Sequence, residues 1–143
     1  MAQSINDIQN EIIEEFALLE DNREETLFYL MDLGERLPPI DESKKTDEHI
    51  VKGCQSKVWL IPHTEGSQLN FEADSNSDIT KGLVSLLVRV FDGQPAEDIL
   101  NAELYFIDKI GMSRFIGTQR SNGFAAMIKQ MKLFALVGVK QQQ

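Results

Sequence analysis

Residues 77–91 limit what this chain can fold into more than any other stretch. Ile79, Leu83, Leu86, Leu87, Val90 and Phe91 recur at helical spacing, and Val84 and Val88 widen the stripe. A helix that is apolar nearly all round has no face to offer water, so it belongs at the centre with the other elements packed around it. Gly82 lies inside this helix at a cost of about 1 kcal/mol in propensity against alanine. That placement predicts close approach of another backbone, with the loop around Cys54 as the expected neighbour.

The flanking segments read as follows. Ser4 is a good N-cap, and Ile5, Ile8, Ile12, Ile13, Phe16 and Leu19 predict an amphipathic helix over about 5–19. Asp21 with Glu24 three residues on predicts a capping box that opens a second helix over about 22–36. Its expected stripe is Leu27, Leu30, Met31 and Gly34, widened by Phe28 and Leu33, and Pro38-Pro39 ends it. A charged connector over 38–50 leads into the segment around Cys54.

The apolar period then becomes two. Residues 58–61 predict a strand, Thr64-Glu65-Gly66-Ser67 a turn, and Leu69, Phe71 and Ala73 a strand returning antiparallel. Ile50-Val51 is the candidate third strand. After the central helix, Asp92-Gly93-Gln94-Pro95 reads as a turn, with Pro95 opening a short helix over 96–100. A further helix over about 102–110 stops at Gly111. Residues 112–122 read as a loop, and a last helix over about 121–137 buries Phe124, Ile128, Met131 and Ala135 before Gly138 stops it. The expectation is one α+β domain over residues 1–143, with a core at about 5–137 and a frayed tail at 138–143.

The charge distribution excludes one class of partner. Residues 1–50 carry 14 acids against 4 Lys/Arg, whereas residues 51–143 carry 9 against 10. The first third repels phosphate, so no nucleic acid is expected as a partner. An acidic surface of this kind is either a solvated helical face or one that steers towards a basic protein. No apolar run is long enough to span a bilayer, so no membrane partner is expected. Residues 1–4 lack the order of a secretory signal, and a lone cysteine suits a reducing compartment. A cytoplasmic monomer is the expectation.

That cysteine, Cys54, has Gly53 before it, Gln55 and Ser56 after it, and Lys52 and Lys57 on either side. A structural cysteine usually has apolar neighbours. Here the surroundings also fit a reactive thiol at a loop tip, with lysines lowering its pKa and Gly53 letting it protrude. Arg120, just before the last predicted helix, sits where the helix dipole disfavours a cation. It is either simply solvated or serves an anionic group. His49, Cys54 and His63 do not match a paired zinc motif, and no metal is expected.

Three separated motifs resemble the SufE family of sulfur acceptors in iron–sulfur cluster assembly. They are Gly53-Cys54-Gln55-Ser56-Lys57-Val58-Trp59, then the 74–83 stretch containing Asp74, Ile79, Lys81, Gly82 and Leu83, then Thr118-Gln119-Arg120-Ser121-Asn122-Gly123 followed by Ala126-Met127. Asn76 stands where the family commonly has Asp. The resemblance implies helices packed on a three-stranded antiparallel sheet, as in scaffold proteins of the IscU kind. It implies that Cys54 takes sulfane sulfur from a cysteine desulfurase (SufS-like), stimulates that enzyme and passes the sulfur to a scaffold complex (SufBCD-like). Pyridoxal phosphate then belongs to the desulfurase, and this chain needs no cofactor. Arg120 matches a supporting residue, and Gly53, Gln55, Ser56, Lys57, Asp74 and Lys81 are expected to make loop or partner contacts.

The chemistry is compatible with that implication. Transfer is thiolate attack on a sulfane sulfur, the same class as thiol–disulfide exchange, and a lone cysteine leaves no second thiol to resolve the adduct. The apolar 58–61 segment is a candidate shelter for the carried sulfur. Two other readings stand beside this one: a non-reactive adaptor that binds through its acidic N-terminal helices, and a one-cysteine peroxide reductase.

Overall fold

A computed structural model describes residues 3–141. The N-terminal helices are α1 (Ile5–Ala17) and α2 (Arg23–Glu35). Ser4 Oγ accepts the Asp7 N–H at 3.1 Å and the Asp7 carboxylate accepts the Ser4 N–H at 3.4 Å, a complete capping box. α1 stops at Ala17, two residues short of expectation, because the chain reverses through left-handed Glu20 and Asp21 (φ 51° and 57°). Asp21 is therefore part of the turn, and the cap of α2 is Asn22, whose side chain accepts the Glu25 N–H at 3.0 Å.

Two 3₁₀ turns, Glu42–Lys44 and Asp47–His49, shape the connector. β1 (Val58–Glu65) and β2 (Gln68–Ser75) then form an antiparallel hairpin, with Val58 opposite Ser75 and Glu65 opposite Gln68. β1 runs four residues beyond the expected strand, so only Gly66 and Ser67 remain as the turn. It tolerates Pro62 because it is the edge strand of the order β1-β2-β3.

α3 (Asp78–Phe91) is the central helix, and Leu83, Val84, Leu86, Leu87, Val90 and Phe91 are all buried. The close approach expected at Gly82 is present, but its neighbour is α2 rather than the cysteine loop. A Cβ on Gly82 would run into the Leu30 backbone carbonyl, and one on Gly34 would sit 2.8 Å from the Gly82 nitrogen. This crossing sets the rotation of α2. Its buried residues are Thr26, Leu30, Leu33 and Gly34, while Leu27 and Met31 are half-buried and Phe28 faces solvent.

The third strand is β3 (Gln94–Pro95), with Gln68 opposite Pro95 and Leu69 opposite Gln94. Residues read as a turn thus complete the sheet. Asp92 Oδ1 accepts the Phe71 N–H at 2.8 Å, and the N–H of left-handed Gly93 donates to Leu69 O at 2.7 Å, which lays the chain along β2. Ile50 makes a single bridge to Trp59, so the 50–51 segment is not the third strand.

α4 (Ala96–Asn101), α5 (Phe106–Ile110) and α6 (Met112–Gln141) follow. Pro95 is the cap of α4 rather than its first residue. α5 is shorter than expected because buried Gln9 takes up the preceding chain. Its amide donates to Glu103 O at 3.0 Å and its oxygen accepts the Phe106 N–H at 3.2 Å. Gly111 ends α5 in the left-handed region (φ 74°), as expected.

The predicted 112–122 loop is helical except at Gly117 (φ 80°, ψ 173°), where α6 kinks. Met112, Phe115 and Ile116 are buried at helical spacing on the near side of the kink. The far segment buries Phe124, Met127, Met131 and Ala135, with Ile128 only half-buried. It also runs through Gly138, which packs where a Cβ would meet that of Ala96 at 3.3 Å. Gly138 is a packing residue and not a stop. Of the expected frayed tail, residues 138–141 are helical and 142–143 lie outside the described residues.

Candidate functional site

The loop carrying Cys54 is tied at its neck. The Val51 N–H donates to Val58 O at 2.8 Å, and Lys57 O accepts both the Asn76 N–H at 3.2 Å and the Ser75 hydroxyl at 2.8 Å. Asn76 Oδ1 in turn accepts the Lys57 N–H at 3.0 Å. That role needs a carbonyl-type oxygen and no negative charge, so an amide at 76 does what a carboxylate would. Gly53 has φ 99°, and a Cβ there would lie 3.2 Å from that of Ala126. Both facts favour glycine directly before the thiol.

Cys54 itself is half-buried, and its Sγ–H points to Gly123 O on α6 at 3.4 Å. A Cβ on buried Gly123 would lie in van der Waals contact with Sγ, at 3.4 Å. Asn76→Ala removes one clasp at the neck. It is expected to raise the rate of Cys54 alkylation by iodoacetamide several-fold without loss of circular-dichroism signal. An unchanged rate contradicts the clasp.

The sulfur opens onto a pocket of about 360 Å³ between the loop, the start of α3 and the kink of α6. Gln55, Ser56, Ser77 and Thr80 line one part, and Ile116, residues 117–120, Gly123 and Met127 the other. Arg120 is the sole charged side chain among the lining residues. Its guanidinium is exposed, reaches only Ile116 O at 3.5 Å, and among the described residues has no carboxylate partner. The kink matters electrostatically, since residues 118–120 open the second segment of α6, where a helix carries partial positive charge. An anionic sulfur in this pocket meets a cation and a helix start.

The resting thiol is not the acidic one that its lysine neighbours suggested. Burial pushes the Cys54 thiol above its ordinary pKa. Lys52 and Lys57 are exposed, and neither lines the pocket. The alkylation rate of the free protein should therefore have its pH midpoint above that of the same protein unfolded in urea. A lower midpoint in the folded state overturns this assignment. Nor does the 58–61 segment shelter the sulfur. Val58, Leu60 and Ile61 are buried in the body of the protein, and Ile116 and Met127 supply the apolar lining.

Of the residues singled out in the sequence, Cys54, Gln55, Ser56 and Arg120 meet at the pocket, with Gly53 beside it. Lys57 contributes main-chain groups at the neck. Asp74 and Lys81 lie elsewhere. Buried Asp74 pairs with Lys45 at 2.8 Å and Lys81 at 3.3 Å, tying the connector and α3 to the end of β2. Burial raises the Asp74 pKa, but Lys45, the Ser75 N–H and Lys81 together outweigh it and hold the carboxyl below its usual value. His49 Nδ1 lies 2.8 Å from Lys44 O, and His63 Nε2 lies 2.7 Å from Glu72. Among the described residues no three His, Cys, Asp or Glu side chains group as metal ligands.

Ser77, Thr80, Ile116, Thr118, Gln119, Gly123 and Met127 line the pocket but were not singled out. Most stand inside the second and third motifs, where Asp74, Lys81 and Arg120 alone had been picked. Ile116 was hidden by reading 112–122 as a loop, although its spacing from Met112 is helical.

The family model for the SufE, Fe-S metabolism associated domain matches residues 10–135. This chain belongs to the SufE family. It is 38% identical over 128 residues to an uncharacterized SufE-like protein of Rhizobium etli, covering 86% of each chain. A second uncharacterized SufE-like protein, from Rhizobium meliloti, is 37% identical over 86% of this chain and 91% of its own. The Arabidopsis thaliana SufE-like protein 1, chloroplastic/mitochondrial, is 38% identical over 114 residues, which are 79% of this chain and 30% of the plant protein.

A solution structure of a hypothetical protein from Thermus thermophilus superposes with a TM-score of 0.75. It covers 93% of this chain and 96% of that one at 17% identity, a likeness of fold alone. The α+β architecture with a three-stranded antiparallel sheet is thus a known one, and membership of the family gives this SufE chain a role in Fe–S metabolism. Among the described residues no helix is long and apolar enough to cross a membrane.

Proposed function

We propose that this protein accepts sulfane sulfur on Cys54 from a cysteine desulfurase, stimulates that enzyme, and delivers the sulfur for iron–sulfur cluster assembly on a scaffold complex. The observation that carries the reading is the lone thiol opening onto a pocket whose single charged side chain is Arg120, which has no carboxylate partner among the described residues. In the transfer the Cys54 thiolate attacks the terminal sulfur of the donor persulfide. The new S–S bond forms at Cys54, the donor S–S bond breaks, and the donor cysteine leaves as a thiolate, with no net oxidation. The cofactor of the desulfurase takes no part in this step. The protein acts as a monomer in the cytoplasm, where a lone cysteine stays reduced.

The pocket suits both ends of that cycle. At rest burial favours the protonated sulfur, which is a poor nucleophile towards stray disulfides. Once it carries a persulfide, Arg120 and the start of the second α6 segment favour its anionic form. The test is sulfide release by a cysteine desulfurase with and without this protein. Stimulation is expected, and Arg120→Ala should reduce it about tenfold, the effect of losing roughly 1.4 kcal/mol of charge stabilisation. Because Arg120 is exposed, the variant should keep its melting temperature. Stimulation equal to the parent's returns Arg120 to simple solvation, and no stimulation by the parent contradicts the function.

A further inference from the structure

A shallow groove of about 510 Å³ lies against α2, at its turn from α1. Leu19, Phe28 and Met31 form its apolar part, and Glu25, Asp32 and Glu35 stand among them. Phe28 is 60% exposed and takes no part in the core, and Leu18, beside Leu19 in the chain, is 81% exposed. Glu25, Phe28, Asp32 and Glu35 recur at helical spacing, so the ring lies within an acidic stripe on one face of α2.

Helix stability does not explain that stripe. An acid in the first turn suits the dipole, but Glu35 stands in the last turn, which carries no basic residue and where a negative charge is unfavourable. Asp32 meets Arg36 only at 3.8 Å with both side chains largely solvated. Glu25 and Glu35 have no ion pair among the described residues. The exposed ring and the acids beside it are complementary to something outside the fold.

We infer that this groove is the docking site for a basic amphipathic helix of a partner protein. Its apolar face packs on Phe28, Leu19 and Met31, and lysine or arginine side chains flank it on Glu25, Asp32 and Glu35. The field of the chain favours the encounter, because residues 1–50 hold ten more negative than positive charges. Anionic membranes and nucleic acids are repelled from the same face.

A second copy of this chain is another source of such a helix. α6 has no Asp or Glu and exposes Leu133 and Val137 one turn apart, with Lys129 and Lys140 along the same face. The net charge of −9 on each copy opposes that pairing, so a separate basic protein is the better fit. Groove and thiol pocket share no lining residue, which leaves Cys54 free to react while the groove is filled.

The experiment is an NMR titration of the ¹⁵N-labelled full chain with a synthetic Lys/Leu amphipathic helical peptide, and with a Glu/Leu peptide of the same pattern. The Lys/Leu peptide should shift the amides of Leu19, Phe28, Met31 and Glu35 and leave those of Cys54 and Arg120 in place. Phe28→Ser, or Glu25→Gln with Glu35→Gln, should each weaken binding at least about fivefold, as expected for anchors of a small interface. All three positions are exposed, so the fold is retained.

With the peptides, three outcomes overturn the inference. They are shifts spread equally over other acidic positions such as Glu97 and Asp98, binding unchanged by Phe28→Ser, or equal binding of the Glu/Leu peptide. A concentration-dependent dimer without peptide, dissociated by Phe28→Ser, overturns it in favour of a second copy.

Discussion

Gly82→Ala is expected to destabilise the protein by about 3 kcal/mol, the upper part of the range for overfilling a packed core. The added methyl group runs into the backbone of Leu30, and a Cβ on Gly34 opposite would likewise lie 2.8 Å from the Gly82 nitrogen. α3 cannot relax sideways, because Leu83, Val84, Leu86, Leu87, Val90 and Phe91 hold it in the core. Alanine's better helix propensity, about 1 kcal/mol, offsets only part of the loss. The urea midpoint should fall with an unchanged slope. Gly66→Ala is the control, for nothing lies within 4 Å of its added methyl and its only strain is φ 64°. A Gly82→Ala midpoint equal to or above the parent's would show that the two helices do not cross as closely as described.

Cys54→Ser should abolish sulfur acceptance and the stimulation of a cysteine desulfurase, while changing stability by about 1 kcal/mol or less. The substitution is nearly isosteric, and the serine hydroxyl can take over the contact to Gly123 O. What it removes is the only atom in the chain able to form a persulfide. The same variant separates the transfer reading from an adaptor role, because an adaptor would keep its partner and its stimulation. A variant that still stimulates at the parent's rate rejects Cys54 as the acceptor.

Much of the fold could be read from apolar periodicity alone. The central helix stood out because Leu83, Val84, Leu86, Leu87, Val90 and Phe91 recur at helical spacing, while Asp78, Lys81, Ser85 and Arg89 are confined to one stripe. The errors fell where one residue type serves two purposes. Gly117 fell in what read as a loop and Gly138 looked like a helix stop, yet Gly117 bends α6 with a single left-handed residue and Gly138 makes room for Ala96. Asp92-Gly93-Gln94-Pro95 looked like a turn because its strand is two residues long and held by bonds to β2 that no local pattern displays.

Cys54 and Arg120, picked out from the sequence, do line one pocket, but its electrostatics were not legible. The lysines beside Cys54 suggested an acidic thiol, whereas proximity in sequence did not bring their charges to the pocket, and burial governs the sulfur instead. Asn76 departs from the family's usual Asp, and its amide oxygen accepts the Lys57 N–H as a carboxylate oxygen would. Both cases turn on where a side chain points, which a one-dimensional pattern does not carry.

The most direct measurement is the intact mass of this protein after incubation with a cysteine desulfurase and cysteine, followed by localisation of the added mass on a peptide. The account predicts a gain of sulfur on the peptide containing Cys54, reversed by reductant. An unchanged mass, under conditions where the desulfurase turns over and this protein is present in its reduced form, would contradict it.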